Sequence, residues 1–311
     1  DLNSTVDLEM IWVEPGTFTM GSPITEVARD SDETEHNVTL TKGFYLGKYE
    51  VTQAQYEAVM TGNTDGLDAT PSYFSGYPNR PVEQVSHDDI QIFLSRLNPQ
   101  QSANIPAGWE YILPTESQWE YACRAGTSTA YSWGDDINAT RANYFLPDLN
   151  QTRDVGYYAA NPWGFFDMHG NVREGTADWY DATYPVGNPV IDPTGGASGF
   201  DRILRGGSWY NVGTNLRSAE RRYYTPSYRD SGMSFRVAFQ YTGERMVDLN
   251  STVDLEMIWV EPGTFTMGSP TTEPGRSNNE TEHNVTLTKG FYLGKYEVTQ
   301  AQYEAVMTGN T

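Results

Sequence analysis

The spacing of apolar and polar positions divides the chain into short elements separated by turns. Leu8–Glu14 is apolar and β-branched enough for a strand, Pro15-Gly16 turns it, and Thr17–Gly21 returns. Residues 22–36 are acidic and irregular. The alternation across Asn37–Thr52 predicts one or two further strands. Thr52, with Gln55 three residues on, forms a capping box that opens a short helix. Ser86 caps a second helix with Ile90, Phe93, Leu94 and Leu97 on one face. Thr115 and Gln118 cap a third, which carries Trp119, Tyr121 and Ala122. Residues 126–235 are dense in Gly, Trp, Tyr, Asn and Asp, with few periodic stretches. Such a region needs bound ions or buried aromatics with hydrogen-bonded tips to hold it. Ile203–Ser208 and Ser234–Gln240 read as closing strands. The pattern predicts an α+β domain of short helices, small antiparallel sheets and much structured loop.

The same pattern then starts again. Asp248–Thr311 repeats Asp1–Thr64 at a constant offset of 247 residues, with no insertion or deletion. The copies differ at Ile24/Thr271, Val27/Pro274, Ala28/Gly275, Asp30/Ser277, Ser31/Asn278 and Asp32/Asn279. All six positions fall in one polar, turn-rich segment, so the structural frame is kept and one surface loop has drifted. A repeat unit this long is a whole domain. The chain therefore reads as a complete unit, 1–247, followed by the N-terminal part, 248–311, of a near-identical one. The connecting residues 241–254 lack the Gly/Ser richness of a flexible tether, and Met246, Val247 and Val253 give them apolar docking points. Consecutive units are expected to keep a fixed relation, which on repetition generates a helical fibre.

Composition narrows the partners. Lys and Arg number 20 against 41 Asp and Glu, a net charge of −21, which argues against nucleic acid and anionic membranes and favours cation binding. No apolar run reaches the length of a membrane span, and no signal peptide is expected. Cys123 is the only cysteine, so no intrachain disulfide forms, which favours the cytosol. The sequons at Asn3, Asn37, Asn138, Asn150, Asn250, Asn279 and Asn284 point instead to glycosylation and an extracellular or cell-surface location. Asn250 and Asn284 are the repeat copies of Asn3 and Asn37, whereas the Asp32/Asn279 difference creates a new sequon.

Ordered motifs run through residues 1–247: MIWVEPGTFTMGS at 10–22, GFYLGKYEVTQAQYEAVM at 43–60, RPVEQVSHDD at 80–89, LPTESQWEYACRAG at 113–126, GFFDMHGNVRE at 164–174, RGGSW at 205–209, then LRSAERR and SFRVA. Together they resemble the formylglycine-generating enzyme (sulfatase-modifying factor) family, whose fold is a variant of the C-type lectin fold. The resemblance implies an oxidase with a copper(I)-binding cysteine pair shortly after the GGS motif, where soft thiolates suit the metal. Here Asn211 stands near the first cysteine position and Cys123 lies elsewhere, so no copper is expected and the chain reads as a catalytically silent member.

The resemblance also implies structural calcium. By position, Asp167 and Glu174 would supply side-chain oxygens, and Gly170 and Val172 backbone carbonyls; a second site would involve Asn143, Tyr144 and Asp148. Arg173 and Gly175 stand where the family usually has Trp. Two functions follow. One is a non-enzymatic structural or surface protein, a tandem array of identical units forming an extracellular fibre. The other is a lectin-fold module binding a glycan or another ligand at an exposed pocket of Trp209, Tyr210, Asn211, Arg217, Arg221 and Tyr224. An oxidase of the formylglycine-generating type stands behind both.

Overall fold

The computed structural model describes residues 2–3, 5–145, 149–183, 189–242, 245–250, 253–260, 262–288 and 291–307. The chain divides into two compact units, one of residues 1–105 and 110–240 and a second of residues 106–109 and 241–311.

In the first unit the strands are β1 (Met10–Val13), β2 (Gly16–Met20), β3 (His36–Leu40), β4 (Phe44–Gly47), β5 (Trp109–Ile112), β6 (Arg173–Trp179), β7 (Val190–Ile191), β8 (Arg202–Arg205), β9 (Arg222–Tyr224), β10 (Met233–Phe235) and β11 (Ala238–Tyr241). Three helices accompany them: α1 (Gln53–Met60), α2 (His87–Gln101) and α3 (Glu116–Arg124). The strands form sheets in the orders β1-β4-β11-β5, β10-β6-β8-β9 and β2-β3-β7. This is the expected α+β, variant C-type-lectin architecture.

The helix starts follow from their caps. Thr52 Oγ1 accepts from the Gln55 N–H and Gln55 Oε1 from the Thr52 N–H, at 3.2 and 2.9 Å. Thr115 and Gln118 repeat the arrangement, and Ser86 forms a third box with Asp89. Each cap satisfies otherwise orphaned amides and is worth about 1 kcal/mol. The apolar face of α2 (Ile90, Phe93, Leu94, Leu97) meets Val51, Tyr56, Val59 and Met60 in one core cluster. A second cluster gathers Met20, Phe44 and Leu46 around Trp119, Ala122 and Phe165.

The structure corrects the expected closing strand. Residues 234–240 split between two sheets, β10 pairing parallel with β6 and β11 antiparallel with β4. The break falls at Arg236, which is fully buried and must turn to reach Glu174. The loop-rich region is held mainly by buried arginines. Arg205 donates to Glu120 and to the carbonyls of Ser218, Ala219 and Glu220. Arg221 grips Glu116 with two hydrogen bonds, and Arg217 grips Glu33 with two more.

In the second unit β12 (Arg245–Asn250), β13 (Val253–Val260) and β16 (Phe291–Gly294) form one sheet, β14 (Gly263–Met267) and β15 (His283–Leu287) a hairpin, and α4 spans Gln300–Met307. The expected connector is thus partly strand, with Met246 opposite Glu256 and Val247 opposite Leu255.

Candidate functional site

The Gly206-Gly207-Ser208 turn follows β8. Gly207 has φ +70°, and a Cβ there would come within 2.5 Å of the Asn215 carbonyl oxygen, so only glycine fits. Asn211 closes the turn, its Oδ1 accepting from the Ser208 N–H at 2.9 Å and from Ser208 Oγ at 2.7 Å. The amide at this position is a structural clamp.

The turn presents Trp209 and Tyr210, half-buried and edge-to-face with centroids 5.1 Å apart. Trp209 donates to the Ser231 carbonyl and meets Phe74 edge-on, and Phe74 in turn meets the exposed Tyr73. Tyr210 Oη donates to Asp230 Oδ2 at 2.7 Å and accepts from Arg173 Nη1 at 2.8 Å. Tyr228 donates to the same Asp230 oxygen and stacks on Tyr224 with centroids 4.2 Å apart. Arg173 lies over the rings of Tyr210 and Tyr224. The result is an aromatic surface with one cation and one anion among its rings, suited to stacking against a flat or sugar-like face.

Two expected members of this pocket are elsewhere. Arg217 is buried, binding Glu26, Glu33 and the carbonyls of Ala28 and Thr214. Arg221 is buried against Glu116 and the carbonyls of Asp32 and Asp181. Their full complements of acceptors tie down loops and leave nothing to offer a ligand at the surface. Nothing in the sequence marks Asp230, and Arg173 stands out only as a departure from the Trp usual in the family. The departure from Trp at position 173 was the available signal, since an arginine replacing an aromatic residue must find new partners.

The calcium expectation places its residues on the segment before β6. Asp167 has φ +56° and accepts from the Gly156 N–H at 2.6 Å; burial raises its pKa to about 6. Gly170 has φ +104°, and a Cβ there would come within 2.3 Å of the Asn143 carbonyl oxygen. Val172 is buried in the same turn. Glu174 takes two hydrogen bonds from Arg236, both 2.6 Å, and one from Trp119 Nε1 at 2.7 Å. As the side chains stand, Arg236 occupies the place a cation would take against Glu174. Among the described residues no group of three or more His, Cys, Asp or Glu is gathered to hold a metal. Nearby oxygens are nevertheless uncommitted. Glu50 Oε2 and Asn143 Oδ1 are buried and accept no hydrogen bond among the described residues. Asn171 joins the two side chains, donating to Glu50 Oε1 and accepting from Asn143 Nδ2, each at 3.1 Å. Burial, then Asp167 and Glu174, hold the Glu50 pKa well above the usual carboxylate range. Orphaned hard oxygens of this kind fit calcium chemistry. Tyr144 adjoins Asn143, while Asp148 lies outside the described residues.

Cys123 is fully buried on α3, and burial pushes its thiol up to about 12. His169 Nε2 lies 3.6 Å from the sulfur but already accepts from the Ser132 N–H, while Nδ1 donates to the Leu216 carbonyl. Burial lowers its pKa to about 4, so the imidazole is neutral and no thiolate–imidazolium pair forms near neutral pH. The sequon asparagines Asn3, Asn37, Asn138, Asn150, Asn279 and Asn284 are exposed, and the Asn250 side chain lies outside the described residues.

The fold and the glycine-serine turn define a formylglycine-generating-enzyme-like domain of the C-type-lectin kind. The chain belongs to the family of the sulfatase-modifying factor enzyme 1-like domain, whose model matches residues 3–241 and 246–311. It is 32% identical over 247 residues to a serine/threonine-protein kinase pkn1 of Chlamydia pneumoniae, covering 74% of this chain and 38% of that one. It is 33% identical over 185 residues to a formylglycine-generating enzyme of Streptomyces coelicolor, covering 54% and 55%. The chain thus spans about two-fifths to just over half of these relatives' lengths. Among solved structures, Treponema denticola variable protein 1 matches with a TM-score of 0.64 and 25% identity, covering 76% of this chain and 96% of that one. Among the described residues no helix is long and apolar enough to cross a membrane.

Proposed function

We propose that this chain is a catalytically silent formylglycine-generating-enzyme-like protein that works as an extracellular structural or surface component built from tandem identical units. One observation carries the reading. After Gly206-Gly207-Ser208, where the resemblance calls for a reactive thiol, Asn211 is consumed in closing the turn, and the single thiol of the chain is buried and protonated. Copper(I) has no soft ligand pair here. The near-identical segment 248–311 supports repetition, and the exposed sequon asparagines are compatible with a glycosylated surface protein. Calcium fits as a structural ion engaging Asp167, the Gly170 and Val172 carbonyls and the uncommitted Glu50 and Asn143 oxygens.

The test is incubation with copper(I), oxygen and a cysteine-containing sulfatase peptide. The peptide mass should not change, and conversion to an aldehyde would overturn the reading. Electron microscopy of the native material should show filaments with a repeat of one unit.

A second reading has its own observation. The surface of Tyr73, Trp209, Tyr210, Tyr224 and Tyr228 around Arg173 and Asp230 favours a ligand-binding module for a glycan. Glycan-array binding that is lost in Trp209→Ala and Tyr228→Ala would support it.

A further inference from the structure

A cleft of about 550 Å³ in the first unit is lined by α2, β5 and the strands β6 and β8. His87, Leu94, Ser95 and Asn98 line it from one face of α2, three to four residues apart along the helix. Ala177 of β6 and Arg202 of β8 line it from the other sheet. Leu94 and Leu113 are buried in the lining, which gives it an apolar part.

Two buried nitrogens of this lining meet no hydrogen-bond partner among the described residues, His87 Nε2 and Arg202 Nε. His87 is 4% exposed, and burial, then Arg202, lowers its pKa to about 4, so its imidazole is neutral. Arg202 lies over the Trp179 ring at 3.4 Å and donates through Nη1 to the Ala177 carbonyl at 2.6 Å. Those two contacts hold the guanidinium plane. Among the described residues Arg202 makes no ion pair, and its Nη2 makes no hydrogen bond. Two acids reach it with their charge: Asp178 is buried and keeps its proton up to about pH 8, and Asp88 is exposed.

Elsewhere in the unit the same Nε/Nη2 edge of an arginine grips a carboxylate. Arg221 holds Glu116 this way, Arg229 holds Asp89 and Arg236 holds Glu174. The edge matches the two oxygens of a planar anion, and a buried donor left unpaired favours any ligand that supplies an acceptor. An added strand is a poor occupant, although β5 ends its sheet. The Tyr111 N–H donates to Asn98 Oδ1 at 2.8 Å and the Tyr111 carbonyl accepts from Asn98 Nδ2 at 2.9 Å. The backbone groups that a further strand would pair with at Tyr111 are therefore taken.

We infer that this cleft binds a small carboxylic acid with an apolar body. Its carboxylate meets the Nε/Nη2 edge of Arg202, with His87 in the Nε2–H tautomer donating beside it. Its hydrocarbon part packs against Leu94 and Leu113. The volume suits a small organic ligand. Glu110 on the lining is exposed, so water screens its repulsion of the anion.

The test uses the full chain with labelled histidine and benzoate as the probe. The histidines are His36, His87, His169 and His283, so ring signals are few and His87→Gln assigns the relevant one. Benzoate should shift the His87 signal saturably, with a Kd of about 10 mM or tighter. Benzamide, of the same shape without the charge, should bind about tenfold more weakly or worse. Arg202→Lys keeps the charge but loses the two-pronged edge, and should weaken benzoate by about tenfold. Because Arg202 also packs on Trp179, Ser95→Trp serves as a second variant. Ser95 is exposed, and an indole there should block the cleft without changing the melting temperature. No saturable shift of His87, equal binding of benzamide, or undiminished benzoate binding in both variants would overturn the inference. Tighter binding of inorganic phosphate than of benzoate would overturn the assignment to a carboxylic acid.

Discussion

Arg236→Met tests whether buried ion pairs hold the loop-rich half of the unit together. Arg236 is fully buried and donates to Glu174 twice, to the Gly47 carbonyl at 2.9 Å and to the Phe166 carbonyl at 2.9 Å. Its guanidinium also faces Glu50 and Asp167, so one cation serves three buried carboxyl groups. Methionine fills much of the volume but leaves Glu174 with Trp119 as its remaining partner and frees two carbonyls. Removing one partner of a buried pair costs about 3–5 kcal/mol, because the other charge stays desolvated. In a unit of this size about 2–4 °C of melting temperature corresponds to each kcal/mol, so the drop should be about 6–20 °C. Differential scanning calorimetry of the full chain reads it. Adding Glu174→Gln to Arg236→Met should recover part of the loss, since it removes the stranded charge. A melting temperature within about 2 °C of the unsubstituted chain would refute the argument.

Two further outcomes follow from other sites. Burial, reinforced by Glu116, raises Asp178 to about 8, so between about pH 4 and pH 8 the folded chain holds a proton that the unfolded chain has lost. Stability should therefore fall as pH rises through that window, by at most about 1.4 kcal/mol per unit from this group, and Asp178→Asn should flatten the slope in urea titrations at stepped pH; an unchanged slope would count against it. Calcium at a hundredfold excess over its Kd should stabilise the chain by about 3 kcal/mol, and Asp167→Ala should remove the increment; identical melts in calcium and in chelator would sink the proposed ion.

The helices were legible because their starts are written locally. Thr52/Gln55, Ser86 and Thr115/Gln118 satisfy the first amides from within a few residues, and the structure places all three helices immediately after them. The split of 234–240 was not legible, since Ser-Phe-Arg-Val-Ala reads as one strand until the partner of Arg236 is known, and Glu174 is 62 residues away. The candidate pocket failed in the same way at Arg217 and Arg221. Their acceptors, Glu33 and Glu116, lie 184 and 105 residues off, and nothing local marks an arginine as buried.

That failure has a common physical origin, which also explains why the repeat stays so uniform. An arginine buried without regular structure around it must find all its acceptors in distant loops, so each loop position that supplies one is fixed by geometry. Glu26 and Glu33 are fixed this way by Arg217, and Gly21 by its contacts with Glu120 and Arg124. Five of the six positions at which the copies differ, Ile24, Val27, Ala28, Asp30 and Ser31, are exposed, and the sixth, Asp32, is half-exposed and accepts from Tyr180 Oη at 3.0 Å. The unit can therefore vary its surface at residues 24–31 without loosening its core.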